Sequence, residues 1–160
     1  MTDKCIKLVN MKFVLLLLTI CITEAGRAQT AEDSIKAAVN ALFTAMRTAD
    51  GDGLRSIFSD NATLQTITRD REGKVRVATE NLTELIEFVK GLKKDSADER
   101  VKFEAIRIDG PLAAAWTPYQ FYHNGKFSHC GVNSFQLVRL DGTWKIQYII
   151  DTRRRTGCQP

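Results

Sequence analysis

The sequence contains no apolar run long enough to cross a bilayer as a helix: Phe13-Val-Leu-Leu-Leu-Leu-Thr-Ile-Cys-Ile22 spans ten residues, whereas a span needs about 20. It also has little excess of one charge, with 23 basic and 19 acidic side chains and a net charge of +4. A polyanionic partner such as nucleic acid is therefore not implied by charge. Internal repeats, low-complexity tracts and linkers are absent, and 160 residues leave room for a single domain. Asp50-Gly-Asp-Gly53 suggests a calcium loop only superficially, because the later ligands and terminal Glu of an EF-hand do not follow. No other grouping of residue types calls for a metal or a cofactor.

The N-terminus does carry a recognisable pattern. Lys4, Lys7 and Lys12 precede the ten-residue apolar run, and Gly26-Arg27-Ala28 follows it as a small-residue exit. This arrangement reads as a secretory signal peptide over residues 1–28, followed by a single domain over 29–160. Met11 is an alternative start, since Met11-Lys12 alone makes a compact basic leader. A lipoprotein reading of Leu18-Thr-Ile-Cys21 is weaker, because Ile20 stands where a lipobox needs a small residue. The expected location is secreted or periplasmic, with no membrane association once the leader is removed. Removal leaves 19 basic against 17 acidic groups, a net +2, and two cysteines, Cys130 and Cys158. An even pair in an exported domain is a candidate disulfide; two unlinked thiols are the alternative.

Ile35, Val39, Leu42, Phe43 and Met46 recur at helical spacing, predicting a helix over 31–49 with Asp33 or Ser34 as its N-cap. Asp52 is expected to cap a short second helix, Leu54 to Phe58, before Ser59-Asp-Asn61 turns the chain. Alternation over Ala62–Thr68 and Val75–Thr79 predicts a β-ribbon. Leu82, Leu85, Ile86, Val89 and Leu92 share one face of a third helix. Asn61-Ala-Thr63 and Asn81-Leu-Thr83 fit glycosylation sequons or, equally by pattern, capping positions. Lys93 to Arg100 reads as a charged loop, and Val101 to Ile108 as a strand.

Three more strands follow from Leu112 to Arg153. Asn124-Gly125 and Asp141-Gly142 separate apolar runs, and each dipeptide suits a type I′ turn. The order predicts an α+β domain in which one curved antiparallel sheet wraps around three helices. Undisturbed two-residue turns would place Gln120 opposite His129, Trp116 opposite Asn133 and Phe135 opposite Tyr148. Alternation then gathers Leu112, Ala114, Trp116, Gln120, His129, Asn133, Phe135, Leu137, Trp144, Ile146, Tyr148 and Ile150 on a concave face. Ser128, Cys130, Ser134, Gln136, Asp151 and Arg153 fall on the opposite one. Pro118 complicates this register, since proline in a strand implies an edge or a bulge.

The expected ligand pocket is thus Trp116, Gln120, His129, Asn133, Phe135 and Tyr148, with Arg154 placed to clamp a carboxylate at its mouth. For each polar member alone, the simpler role is to satisfy a neighbouring backbone group. No carboxylate joins them in this register. His129 is the one group there that titrates near neutral pH, and Tyr148 is its candidate hydrogen-bond partner in any acid/base role.

Ala49-Asp-Gly-Asp-Gly-Leu54, Phe58-Ser-Asp-Asn-Ala-Thr-Leu64, Gly110-Pro-Leu-Ala-Ala-Ala-Trp116 and above all Phe135-Gln-Leu-Val-Arg-Leu-Asp-Gly-Thr-Trp-Lys-Ile146 carry a family likeness. Over Ala31 to Thr152 the chain resembles the nuclear transport factor 2-like superfamily, which includes SnoaL-like cyclases and a lumazine-binding branch. The resemblance implies a cone of curved sheet around helices, a pocket, and frequent dimerisation through the outer sheet face. Catalytic relatives are implied to use an inward Asp base, a Tyr with an acid, or Asp with His. The quoted motifs are turns and core positions, so they speak to fold rather than activity.

The reading is a secreted binding domain for a small apolar or aromatic molecule, expected as a homodimer and independent of any cofactor. One alternative is a cofactor-independent lyase or isomerase using His129 with Tyr148. Another is a protein-interaction module with a vestigial pocket.

Overall fold

The structure is a computed structural model that describes residues 31–158. The expected leader, 1–28, lies outside the described residues. The first helix, α1 (31–48), is already helical at Ala31, so Asp33 and Ser34 sit within it rather than capping it. Ile35, Val39, Leu42 and Phe43 are buried at the three- and four-residue spacings that define its inner face. Helix α2 (Gly51–Ile57) is capped by Asp50, whose Oδ1 accepts from the Gly53 amide at 2.8 Å. The cap is thus two residues earlier than the sequence suggests. The chain then passes directly into β1 (Phe58–Arg69), so Ser59-Asp-Asn61 is strand rather than turn. The ribbon closes with β2 (Val75–Glu80), and Asn81 caps α3 (Leu82–Lys90).

The region expected as a loop and one strand forms two strands, β3 (Ala97–Val101) and β4 (Ala105–Asp109). Both pair with β5 (Leu112–His123), one beyond the other. Next come β6 (Lys126–Leu140) and β7 (Thr143–Arg154). The sheet order is β2-β1-β7-β6-β5-β3, with β4 also on β5. The α+β architecture of three helices and a sheet is as expected, and the sheet is mixed because β1 runs parallel to β7. Both tight turns form where the sequence puts them, with positive φ at Asn124, Gly125, Asp141 and Gly142.

Two bulges alter what the turns alone would dictate. In the first hairpin Tyr122 pairs with Phe127 but Phe121 pairs with His129, leaving Ser128 as the extra residue. The bulge lies near the turn, away from Pro118. It reverses the faces of β5: Ala113, Ala115, Thr117 and Tyr119 are buried, and Leu112 and Trp116 are about half exposed. In the second hairpin Leu137 pairs with Ile146 as expected, yet Gln136 pairs with Tyr148, leaving Gln147 extra. One inserted residue turns every later side chain to the other face. Trp144 and Ile146 therefore point inward, as do Ile149, Asp151 and Arg153 beyond the bulge, while Tyr148 and Ile150 point outward. Gln147 is fastened on both sides, its Oε1 accepting from Ser59 Oγ at 2.8 Å and its Nε2 donating to the Asn61 carbonyl at 3.0 Å.

The core joins α1, α2 and α3 to the inner sheet face. It includes Leu42, Leu54, Ile86, Val89, Phe135, Leu137, Trp144 and Ile146. Phe43 meets Phe135 edge-on, with ring centres 6.3 Å apart.

Candidate functional site

The cross-strand register sorts the inner sheet face into rows. Leu64, Ile149, Phe135, Ala115 and Ile106 form an apolar row running from β1 to β4. The next row is polar throughout: Thr66, Asp151, Asn133 and Thr117. Then come Arg153, Gly131 and Tyr119, and beyond them His129, Phe121 and Glu99. A cavity of about 750 Å³ lies over this boundary between apolar and polar rows. Leu42 and Met46 of α1, Phe58 and Leu64 of β1, and Leu85 and Phe88 of α3 form its apolar walls. Glu80, Asn81 and Glu84 line it where β2 leads into α3.

Two connected polar groups furnish the sheet side. In the first, Tyr119 Oη lies 3.2 Å from Asp151 Oδ2 and 3.0 Å from the Thr152 carbonyl oxygen, to either of which its proton is donated. Asp151 Oδ2 also accepts from Arg153 Nε at 2.8 Å, and Arg153 Nη2 donates to Glu80 Oε1 at 2.9 Å. Burial and the adjacent carboxylates Asp151 and Glu99 push the Tyr119 phenol far above its ordinary pKa, so it is a neutral donor. In the second group, Asn133 Nδ2 donates to Glu99 Oε1 at 2.8 Å, reaching across β5. Withdrawal from water, with a contribution from the negative charge of Asp151, raises the Glu99 carboxyl to about 7; the Asn133 bond and Arg153 oppose the rise.

Gly131 makes the first group possible. A Cβ there would stand 1.7 Å from the Thr152 carbonyl oxygen and 2.7 Å from Tyr119 Cε1. The tyrosine ring thus crosses the strand over a residue with no side chain, and its hydroxyl reaches β7. Close by, the His129 ring lies 4.9 Å from the Phe121 ring and 5.7 Å from the Tyr119 ring, with Nδ1 3.1 Å from Ser128 Oγ. Burial, then the Arg153 charge, lowers its pKa below the ordinary value, so the imidazole is neutral at pH 7.

Of the pocket residues expected from sequence, His129 and Asn133 line the cavity. Phe135 is on the same face but wholly buried in the core. Trp116, Gln120, Tyr148 and Arg154 lie on the outer face, each displaced by a bulge. Tyr148 donates to Gln65 Oε1 at 2.7 Å instead of facing His129, and Arg154 is paired in register with Cys130, away from the cavity mouth. The expected lack of an inward carboxylate is also corrected. Asp151 is turned in by the Gln147 bulge, and Glu99 comes from a strand that its charged sequence disguised as a loop. Asp151, Arg153 and Glu99 escape the sequence reading for these two reasons, and Tyr119 because the Ser128 bulge of the first hairpin turns it inward and brings it opposite Gly131. Among the described residues no three His, Cys, Asp or Glu side chains converge as a metal site. Cys130 and Cys158 are joined in a disulfide, with Cα atoms 5.8 Å apart.

The sequence matches the family described as "Putative lumazine-binding" over residues 30–148. No curated protein matches the chain. Among solved structures it is similar to a nuclear transport factor 2-like protein of unknown function from Shewanella baltica. That match has a TM-score of 0.61 and 17% identity and covers 79% of this chain and 96% of the other. A similar protein from Methylobacillus flagellatus has a TM-score of 0.60 and 20% identity, covering 78% and 93%. A protein of unknown function from Mycobacterium tuberculosis has a TM-score of 0.65 and 15% identity, covering 83% and 77%. At these identities the structures speak for the fold, which is nuclear transport factor 2-like, and the family match extends over most of the chain: the protein belongs to the lumazine-binding-like family.

Proposed function

We propose that this protein binds a small molecule in the cavity, apolar body against α1, α3 and the Leu64–Ile149 row, polar end on the Asp151, Asn133 and Glu99 side chains. The observation that carries this reading is the cavity's position across the apolar-to-polar boundary of the sheet. Apolar walls with a few convergent polar groups are the usual form of a ligand site, and the family description favours small-molecule binding. Native mass spectrometry of the purified protein tests it. A co-purified species of defined mass, released by unfolding, supports binding; its absence, with no thermal shift across a library of aromatic and alicyclic compounds, overturns it.

The leader pattern is the ground for proposing export, and a disulfide suits an oxidising compartment. Homodimerisation is proposed through the outer sheet face, which carries Trp116 and Val77, both about half exposed, with Ile150 and Ile67. Sedimentation should give a dimer that Trp116→Glu converts to monomer. A monomeric parent protein would rule this out.

A second reading, acid/base catalysis, gains one specific observation: Glu99 and Asp151 stand in the cavity beside His129. Tyr119, rather than Tyr148, is then the hydroxyl within reach. Turnover of the co-purified compound that is lost in Glu99→Gln and His129→Ala would favour an enzyme; a compound recovered unchanged favours binding alone.

A further inference from the structure

The charge that lines the cavity is strongly one-sided. Among the described residues, Glu80, Glu84, Glu99 and Asp151 face Arg153 as the one lining side chain with a permanent positive charge. Arg153 is already engaged, through Nε with Asp151 and through Nη2 with Glu80. An entering anion would share that guanidinium with two carboxylates already bonded to it and meet the remaining ones. His129, the second nitrogen base in the lining, is neutral at pH 7. The arrangement opposes the carboxylate clamp expected from sequence and favours the reverse charge.

Of the carboxylates on the sheet side of the cavity, Glu99 is the one with unused capacity. One oxygen accepts from Asn133, and among the described residues no arginine or lysine is bonded to it, whereas Asp151 and Glu80 share Arg153. It stands beside Phe121 and His129, two flat rings that can flank an aromatic or alicyclic body. We propose that the ligand of this cavity is an amphipathic amine, with its apolar body among the helix and sheet side chains and its protonated nitrogen on Glu99. This inference rests on the binding reading above.

The ionic contact then depends on the protonation of Glu99, which ionises around pH 7. The groups facing it are Asp151 and Arg153 on β7, His129 and Asn133 on β6, Tyr119 on β5, and Glu80 and Glu84 around the start of α3. On its other side lie Arg47 of α1 and its strand neighbours Asp98 and Arg100. Asp98 is already paired with Arg100 at 2.9 Å. Above pH 7 Glu99 attracts a cation; below it the protonated carboxyl offers a hydrogen bond without charge.

Three fluorescent probes with one body test this: 1-pyrenemethylamine, 1-pyrenemethanol and 1-pyrenecarboxylate, titrated into the full chain by anisotropy between pH 5.5 and 8.5. The amine should bind about tenfold or more tighter than the alcohol at pH 8.5, the size of one partly desolvated ion pair. The carboxylate should bind weakest. The amine-to-alcohol ratio should shrink several-fold as pH falls through 7 and be flat in Glu99→Gln. A carboxylate that binds as tightly as the amine, or a ratio independent of pH in the parent protein, overturns the proposal even if Glu99→Gln does not fold. If the alcohol binds and the amine has no advantage, the charge inference fails while the pocket stands. If none of the three binds, both fall.

Discussion

At the scale of single residues, Gly131 and Glu99 decide what the sheet face can do. Gly131→Ala forces a methyl group against the Thr152 backbone and the Tyr119 ring, and a backbone oxygen has little freedom to retreat. The variant should lose roughly 3 kcal/mol in chemical denaturation, the range of overpacked sites. A loss within 0.5 kcal/mol would show that the strands shift freely there. Glu99 makes a prediction of opposite sign. Its folded pKa of about 7 lies above the ordinary carboxyl value of 4.5. The folded state therefore holds a proton that the unfolded chain releases, and stability falls as pH rises from about 4.5 to 7 and then levels. The full shift corresponds to on the order of 3 kcal/mol. Glu99→Gln, still able to accept from Asn133, should be more stable than the parent at pH 8 by up to that amount, with the gap closing by pH 4.5. Equal stability at both pH values would remove the raised pKa.

At the scale of elements, the fate of the sequence reading turns on bulges. The helices, the ribbon and both tight turns were legible because helical spacing, alternation and paired positive-φ residues are local signals. The half of the site that was not legible depends on one residue in each hairpin. Ser128 and Gln147 have no special backbone chemistry, and what holds the second of them is tertiary: Gln147 bonds Ser59 and Asn61 on a strand more than eighty positions earlier in the chain. Strand β3 was hidden differently. Asp98, Glu99 and Arg100 read as loop because charge is rare inside a sheet, yet Asp98 and Arg100 satisfy each other on the outer face while Glu99 turns inward. Gln147→Ala should therefore cost about 1–2 kcal/mol for two lost hydrogen bonds. It should also weaken probe binding, because the bulge is what aims Asp151 and Arg153 into the cavity. Lost stability with unchanged binding would mean that the β1–β7 pairing alone fixes the bulge.

At the scale of the whole molecule, the two faces of the sheet have separable roles, and the disulfide makes this measurable. Cys130 is buried on the outer face of β6, and Cys158 follows the end of β7, so the bridge closes a loop of 28 residues that contains the second hairpin. Closing a loop of that length stabilises a fold by about 3 kcal/mol, chiefly by restricting the unfolded chain. In a domain of this size that corresponds to about 10 °C in melting temperature. The cavity groups Glu99, Tyr119, Asp151 and Arg153 lie on the other face and are held by their own hydrogen bonds. Reduction, or the Cys130→Ser and Cys158→Ser pair, should therefore lower the melting temperature by about that margin while leaving probe affinity at 20 °C within about twofold, since folded-state contacts at the site are untouched. A fall in affinity in step with the melting temperature would show that the bridge shapes the cavity as well as the stability. A melting temperature indifferent to reduction would show that the second hairpin is already as constrained in the unfolded chain as the bridge could make it.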